Sequence, residues 1–359
     1  IASHIPSVQI GSTYFQETHP DRIFEECSVY NELISSAAQS PRTVNSAIRH
    51  AVGLGGVSVI TLPGDVSDLK AVDHVPTYAP ARPATLAPNA TDIEEAAALL
   101  NKANKVAIFA GAGVEGAHDE VIALADALKA PIGHSLRGKH FIQYDNPFDV
   151  GMTGLLGYGA AAEGMNDADV LILLGTDFPY DQFLPSTPTI QVDTHAEKLG
   201  RRTDVGLAIH AQVKPFIEAL LPHLRANRSD SFLNRKLKKH AEIMHAPVGA
   251  YTRNVEKMHP IHPEYAAHLL NETAAKDAIV TADTGMCNVW TARYLNPLGT
   301  RRLIGSFLHG SMANALPMAL GAQVAFPDRQ VVSVSGDGGL SMLLGELITA
   351  KMYNLPVKV

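Results

Sequence analysis

The sequence predicts an α/β protein made of three doubly wound parallel-sheet segments, the first and last of them incomplete. Two observations carry that class. Short β-branched runs alternate with stretches of helical periodicity along most of the chain, which is the pattern of βαβ units. Two of those runs end in glycine-rich turns that lead straight into a helix, at 111–116 and 336–339. The chain opens at Ile1-Ala-Ser-His-Ile-Pro6, which reads as the exit from a strand, and closes at Leu355-Pro-Val-Lys-Val359, which reads as the entry to another. The expectation is therefore a portion of a longer protein.

At 359 residues the chain is long enough for two or three cores, and 46% hydrophobic with 18% charged residues is ordinary for a globular enzyme. A net charge of -7, with no strong cluster of Lys or Arg, gives no basis for nucleic-acid binding. The single basic run, Arg235-Lys236-Leu237-Lys238-Lys239, reads as the solvated face of a helix. Cys27 and Cys287 belong to no Cys-x-x-Cys pair, so neither a disulfide framework nor a zinc site is expected, and a reducing cytoplasm fits. No apolar stretch reaches the roughly 18 residues of a membrane span.

Taken in order, the first segment holds a helical pattern at 41–53, with Val44, Ile48 and Val52 on one side, then a strand at 57–62 ending at Pro63-Gly64-Asp65. Pro76, Pro80, Pro83 and Pro88 crowd residues 75–89 and suit a stiff crossover, which bounds a first domain at 1–80. Thr91-Asp-Ile-Glu94 matches a capping box opening a helix at 93–103. A strand at 106–110, a helix at 120–129 and strands at 170–174 and 189–192 follow, making a second domain at 90–222. A looser connection spans 222–263. The third domain, 260–359, holds a strand at 278–281, a turn at Asp283-Thr-Gly285, an apolar stretch at 312–324, a strand at 331–335 and an apolar helix at 340–352.

The turn Gly336-Asp337-Gly338-Gly339 carries the clearest chemistry. Asp337 can ligate a hard cation such as Mg²⁺, and Gly338 and Gly339 let backbone N–H groups approach phosphate. A tight strand-to-helix turn capped by Asp337 is the plainer alternative. Gly111-Ala-Gly113-Val-Glu-Gly116 has dinucleotide spacing, yet residues 131–136 lack the carboxylate that would hold a ribose, so a close helix-sheet contact is the favoured reading there. Loops at Asp149–Gly154 and Leu174–Phe178, with Gln191 and Asp193 closing a further strand, form a candidate cofactor groove. Gly310-Ser311-Met312 combines small residues with a side chain able to support a ring, or is a helix cap. Phe15 and Gln16 suit a pocket wall or a surface loop.

Phe15-Gln-Glu-Thr-His19, Leu62-Pro-Gly-Asp65, Asp145-Asn-Pro-Phe-Asp-Val-Gly-Met-Thr-Gly154, Gly175-Thr-Asp-Phe-Pro179, Gly305-Ser-Phe-Leu-His-Gly-Ser-Met312 and Gly336-Asp-Gly-Gly339 come in this order along the chain. In that combination the chain resembles the thiamine diphosphate-dependent pyruvate oxidase family, most of all its bacterial quinone-dependent pyruvate dehydrogenases. The resemblance implies a pyrimidine-binding domain, a central FAD domain and a diphosphate-binding domain, with thiamine diphosphate, FAD and Mg²⁺ as cofactors. It implies Asp337 as a metal ligand, Gly338 and Gly339 at the diphosphate, and Gly310, Ser311 and Met312 around the thiamine. Gly151, Met152, Thr153, Gly154, Leu174, Gly175, Thr176, Asp177, Phe178 and Asp193 would line the flavin, with Gly111 and Gly113 close by. Phe15 and Gln16 become the candidate catalytic positions, Phe15 over the thiazolium of a neighbouring subunit.

The implied reaction is oxidative decarboxylation of pyruvate to acetate and CO₂, with electrons passing through FAD to a membrane quinone. The implied setting is a cytoplasmic homotetramer peripheral to the inner face of the membrane. The alternatives are an acetolactate synthase-like carboligase with structural FAD, or a catalytically dead fragment. The family's activating glutamate and its second, asparagine metal ligand have no counterpart in residues 1–359, so the expectation is that this chain does not turn over alone.

Overall fold

The computed structural model describes residues 1–73, 79, 84–225 and 228–359. Pro76, Pro80 and Pro83 of the expected crossover lie outside them. The chain divides into two compact units, Ile1–Ala84 and Thr85–Val359.

The first unit has a parallel sheet of β1 (Ala2–His4), β2 (Tyr30–Leu33) and β3 (Ser58–Pro63) in the order β1-β3-β2. The helix Ser40–Leu54 packs on it, closed by Gly55 in the left-handed conformation that only glycine adopts freely. Its buried residues are Thr43 and Ala47, whereas Val44, Ile48 and Val52 are exposed, so the apolar side expected from the periodicity faces outward.

The second unit is built on a seven-stranded sheet of β4 (Val106–Ala110), β5 (Ile132–His134), β6 (Asp149–Met152), β7 (Tyr158–Gly159), β8 (Val170–Leu174), β9 (Thr189–Asp193) and β10 (Leu207–His210). Their order is β10-β9-β8-β4-β5-β6-β7, parallel throughout except for β7, which runs antiparallel to β6. The winding starts at β4, moves outward through β5 and β6, then restarts on the other side with β8, β9 and β10. The direction of winding therefore reverses between β4 and β8.

Side-chain alternation along the strands makes two cores. Val106, Ile108, Ile172 and Ile190 face the helices Ala90–Lys102, His118–Leu128 and Val213–Leu220. Ala107, Phe109, Leu171 and Leu173 face the opposite way, toward Met165 and Phe232. Both faces being covered explains why β4 and β8 read as continuous apolar runs.

Three sequence readings change around this seven-stranded sheet. The helix Ala90–Lys102 starts before the expected capping box, and its cap is Asn89, whose N–H donates to the Asp92 carboxylate at 3.3 Å. The expected loose connection at 222–263 contains the helix Ser231–Ile243, which covers the second face of the sheet through Phe232. The basic run on that helix is not wholly solvated: Lys236 is 0% exposed, and its Nζ donates to Glu163 at 2.6 Å and Asp167 at 2.5 Å. With few apolar residues, the helix is held by this ion cluster as much as by its hydrophobic contacts.

A third sheet in the order β12-β11-β13 joins β11 (Ile279–Ala282), β12 (Arg302–Gly305) and β13 (Val331–Val334), all parallel, with Lys358 bridging to Val332. The helix Ala315–Ala325 packs against β11 and β13. The apolar helix expected at 340–352 is two helices, Asp337–Met342 and Glu346–Met352, broken around Gly345.

Replacing Lys236 by Ala should lower unfolding stability by about 2–4 kcal/mol, because a buried ammonium and its stem are lost from between two carboxylates. Lys236→Met should lose less, since it keeps the stem volume and Glu163 and Asp167 are each about half exposed (46% and 48%) and can turn to water. Urea unfolding that ranks Met below Ala would contradict this.

Candidate active site

Parallel strands deliver their loops to one edge, and the sequence-expected groups lie along two such edges. In the seven-stranded sheet, the turns after β4 and β8 meet where the winding reverses. Gly113 N–H donates to the Gly175 carbonyl at 2.9 Å, and Gly111 N–H donates to the Leu174 carbonyl at 2.9 Å. A Cβ on Gly113 would lie 2.6 Å from the Gly175 Cα, so these glycines let the turns after β4 and β8 pack backbone to backbone. The sequence favoured a close helix-sheet contact here; the contact present is between two turns. It also forms the floor of the crevice in which open α/β sheets bind ligands.

The loop after β6 reaches the same edge. Gly151 and Gly154 have φ of +93° and +103°, and a Cβ on Gly154 would lie 2.9 Å from Cζ of Phe178, so this loop touches the one after β8. Not every expected flavin residue offers its side chain. Leu174 and Met152 are buried in apolar clusters, and Phe178 stacks edge-on against Phe109 with centroids 5.1 Å apart. What these positions can show a ligand is backbone. Gln191, read as a possible ribose contact, is committed elsewhere: it donates to the Thr176 carbonyl at 3.0 Å and accepts from Gly200 N–H at 2.8 Å. Asp177 pairs with Arg201 and Arg202, and Asp193 accepts from His195 N–H at 2.9 Å. Thr153 and Thr176 are both buried.

A buried polar network roots the β6-β7 ribbon. Lys139 Nζ donates to Gln143 Oε1 at 2.5 Å and to the Tyr158 hydroxyl at 2.9 Å, while Gln143 Nε2 donates to Asp149 Oδ2 at 3.2 Å. Asp149 Oδ1 accepts from Gly151 N–H at 3.0 Å and lies 3.6 Å from His134 Nε2. Burial pushes the His134 imidazole down to about 4 against the pull of Asp149, and pushes the Lys139 ammonium down to about 7.

At the third sheet, loops leave the ends of β11, β12 and β13 together. Gly310 has φ of +72°, and Met312, 49% exposed, places its Cε 3.5 Å from where a Cβ on Gly338 would sit. The structure thus brings the Gly310–Met312 loop to the Gly336–Gly339 turn, as a shared cradle requires. Asp337 is exposed and its carboxylate has no hydrogen bond or ion pair among the described residues. No group of three His, Cys, Asp or Glu side chains gathers among the described residues, so any cation at Asp337 would take its remaining oxygens from other donors, such as a ligand's phosphates.

The sequence reading passed over Asp283, which sits between the two loops. It is 1% exposed, its Oδ2 has no hydrogen-bond partner, and that oxygen lies so close to the Gly339 Cα that no side chain fits there. A lone aspartate ending a buried strand was the available signal. Phe15 and Gln16 belong to the first unit: Phe15 is 79% exposed and Gln16 has φ of +64°.

His134 gives a pH signature. Its folded pKa lies below its unfolded one, so from pH 6.5 down to about 4 the unfolded chain binds a proton that the folded chain refuses, and stability falls as pH falls. His140, also pushed down to about 4 by burial and then by Arg302 and Arg137, adds to the slope. Between pH 6.5 and 5, His134→Gln should lose stability less steeply with acidification than the parent, by up to about 1.4 kcal/mol per pH unit. Parallel urea-midpoint curves would contradict the assignment.

Comparison with known proteins bears on both edges. Residues 93–220 match the thiamine pyrophosphate enzyme central domain, and residues 283–359 match the C-terminal TPP binding domain of those enzymes. The chain is 33% identical over 362 residues to a putative thiamine pyrophosphate-containing protein, YdaP, of Bacillus subtilis, covering 100% of this chain and 62% of that one. It is 30% identical to the acetolactate synthase isozyme 1 large subunit of Escherichia coli, covering 100% of this chain and 64% of that one. It is 28% identical to the pyruvate oxidase of Lactiplantibacillus plantarum, covering 99% of this chain and 61% of that one. The chain thus spans about three fifths of the length of these relatives. The seven-stranded sheet is the central domain and the cradle at Gly310–Met312 and Gly336–Gly339 lies in the cofactor domain: the chain belongs to the thiamine pyrophosphate-dependent enzyme family.

Proposed function

We propose that this protein oxidatively decarboxylates pyruvate to acetate and CO₂, passing the electrons through FAD to a quinone. The observation that supports the reading is the presence in one compact unit of the Gly310–Met312 loop against the Gly336–Gly339 turn and of a glycine-lined crevice at the point where the central sheet reverses. Similarity to a pyruvate oxidase supports the oxidative outcome.

When bound, thiamine diphosphate supplies the nucleophilic carbon and electron sink for decarboxylating a 2-oxo acid, and FAD a two-electron acceptor. The residues fit those groups. Asp337 offers a free carboxylate for Mg²⁺, Gly338 and Gly339 leave the backbone open to phosphate, and Met312 stands beside them as apolar support for the thiamine. The backbones of Gly111–Gly113, Thr153–Gly154 and Gly175–Thr176 would hold the flavin. Phe15 and Gln16 would act at the thiazolium of a neighbouring subunit in a homotetramer. We place the protein in the cytoplasm, at the inner face of the membrane where a quinone is reached. No helix among the described residues is long and apolar enough to cross that membrane.

A carboligase with structural FAD is the second reading, favoured by similarity to an acetolactate synthase at an identity as high as that to the pyruvate oxidase. In the whole protein, pyruvate supplied with thiamine diphosphate, Mg²⁺ and FAD should yield acetate, with reduction of ferricyanide, whereas residues 1–359 alone are not expected to turn over. Acetolactate as the product, with no acceptor reduced, would overturn the oxidase reading in favour of the carboligase.

Substitutions in the cradle give a graded test. Asp337→Asn should weaken Mg²⁺-dependent thiamine diphosphate binding by about tenfold or more. Gly338→Ala should be tolerated, its Cβ meeting only the flexible end of Met312 at 3.5 Å, whereas Gly339→Ala drives a methyl into the Asp283 carboxylate. The latter should lose about 1–3 kcal/mol of stability and most cofactor affinity. Equal behaviour of the two alanine variants in calorimetric titration and thermal melts would contradict this geometry.

A further inference from the structure

We propose that Asp283 is a positioning residue for thiamine diphosphate: its buried carboxylate holds Asn314, keeps Ala313 in the left-handed conformation, and thereby sets Met312 against the Gly338-Gly339 turn. The proposal rests on the thiamine cradle described above and adds the group that shapes it.

Asp283 follows β11, the middle strand of its sheet, so it stands between the loops that leave β12 and β13. Its Oδ1 accepts three N–H bonds, from Asn314 Nδ2 at 2.9 Å, Asn314 N at 3.0 Å and Thr284 N at 3.1 Å. Asn314 in turn closes the loop before it. Its Nδ2 donates to the Ser311 carbonyl at 2.6 Å, and its Oδ1 accepts from Ser306 N–H at 3.2 Å. Ser306 Oγ accepts from Ser311 N–H at 3.1 Å. The residues from Ser306 to Asn314 are thus folded onto one asparagine, and that asparagine onto one carboxylate.

Ala313 lies between Met312 and Asn314 with φ of +63°, a conformation disfavoured for a residue that carries a Cβ. Such a residue persists only where its surroundings over-determine it. Here the surroundings are the two bonds from Asn314 to Asp283. The direction in which Met312 leaves the loop depends on that left-handed turn, and the turn depends on the carboxylate.

The other oxygen acts on the opposite half of the cradle. Oδ2 has no hydrogen-bond partner and occupies the space a Cβ at Gly339 would need. One buried side chain therefore sets the path of both loops. A carboxylate serving stability alone would have no need to impose left-handed backbone on an alanine beside the cofactor.

The test uses three variants of the whole protein and two readouts. Asp283→Ala should weaken thiamine diphosphate binding at saturating Mg²⁺ by about 10- to 100-fold in calorimetric titration. Asp283→Asn, which still accepts through Oδ1, should retain most of the affinity. In the Asp283→Ala background, Ala313→Gly should recover about fivefold or more, because glycine holds φ near +63° without the strain. Hydrogen exchange of the Ser306, Ser311 and Asn314 amides in the cofactor-free protein should quicken in Asp283→Ala. If that variant does not fold, Asn314→Ala removes the side-chain bonds to Asp283, Ser311 and Ser306 while its backbone N–H still donates to Asp283, and should show smaller losses in the same direction. Wild-type affinity in Asp283→Ala or Asn314→Ala, or no recovery with glycine at 313 in a folded protein, would overturn the proposal. Failure of the parent protein to bind thiamine diphosphate and Mg²⁺ would instead overturn the cofactor reading, and the exchange rates would still decide whether Asp283 holds the loop.

Discussion

A parallel strand covered on both faces leaves its side chains no path to a ligand, and the crevice of the central domain follows from that constraint. The side chains of β4 and β8 divide between two apolar cores, one on each side of the sheet. Chemistry is therefore confined to the turns at the carboxyl ends of the strands. There it must be done largely by backbone, because neighbouring strands bring those turns so close that glycine is required. Gly111, Gly113 and Gly175 are close-packed for this reason, and Gly339 against Asp283 repeats the same solution in the third sheet.

The two edges solve different problems. In the central domain the reversal of winding between β4 and β8 opens a crevice whose floor is the mutual contact of two glycine turns. Its β6-β7 wall is fixed from beneath by Lys139, Gln143, Tyr158 and Asp149, buried and half-buried polar groups bonded to one another. In the cofactor domain no such ribbon is present among the described residues, and a single buried carboxylate organises the loops. Asp337 stays exposed with its oxygens uncommitted among the described residues, which suits the proposed metal role, while Asp283 is withdrawn and bonded.

Much of this was legible in the sequence, for identifiable reasons. Strand β8 and the glycine turns could be read because apolar runs and Gly-Asp-Gly-Gly are local signals. The helix at 231–243 was legible only as a solvated basic face within a loose connection; its burial was not, since it packs through Phe232, Leu233 and an ion cluster around Lys236 whose carboxylates lie some seventy residues earlier, at Glu163 and Asp167. Asp283 was passed over for a related reason. Its importance comes from Asn314 and Gly339, brought to it only when β11 takes its place between β12 and β13. Leu174, Met152 and Gln191 show the opposite limit: sequence position put them at the right edge, but whether a side chain faces the core, a neighbouring loop or a ligand is decided by packing.

The central claim is that the two loops of the third sheet form a diphosphate-and-metal cradle. The chain's single tryptophan, Trp290, lies on the helix Met286–Tyr294 that begins just after the Asp283–Gly285 turn, and so reports on that region. The most direct test is a thiamine diphosphate titration followed by Trp290 fluorescence with and without Mg²⁺. Saturable quenching that requires Mg²⁺ is the predicted result. A fluorescence response indifferent to the metal, or no response where calorimetry detects no binding, would contradict the account.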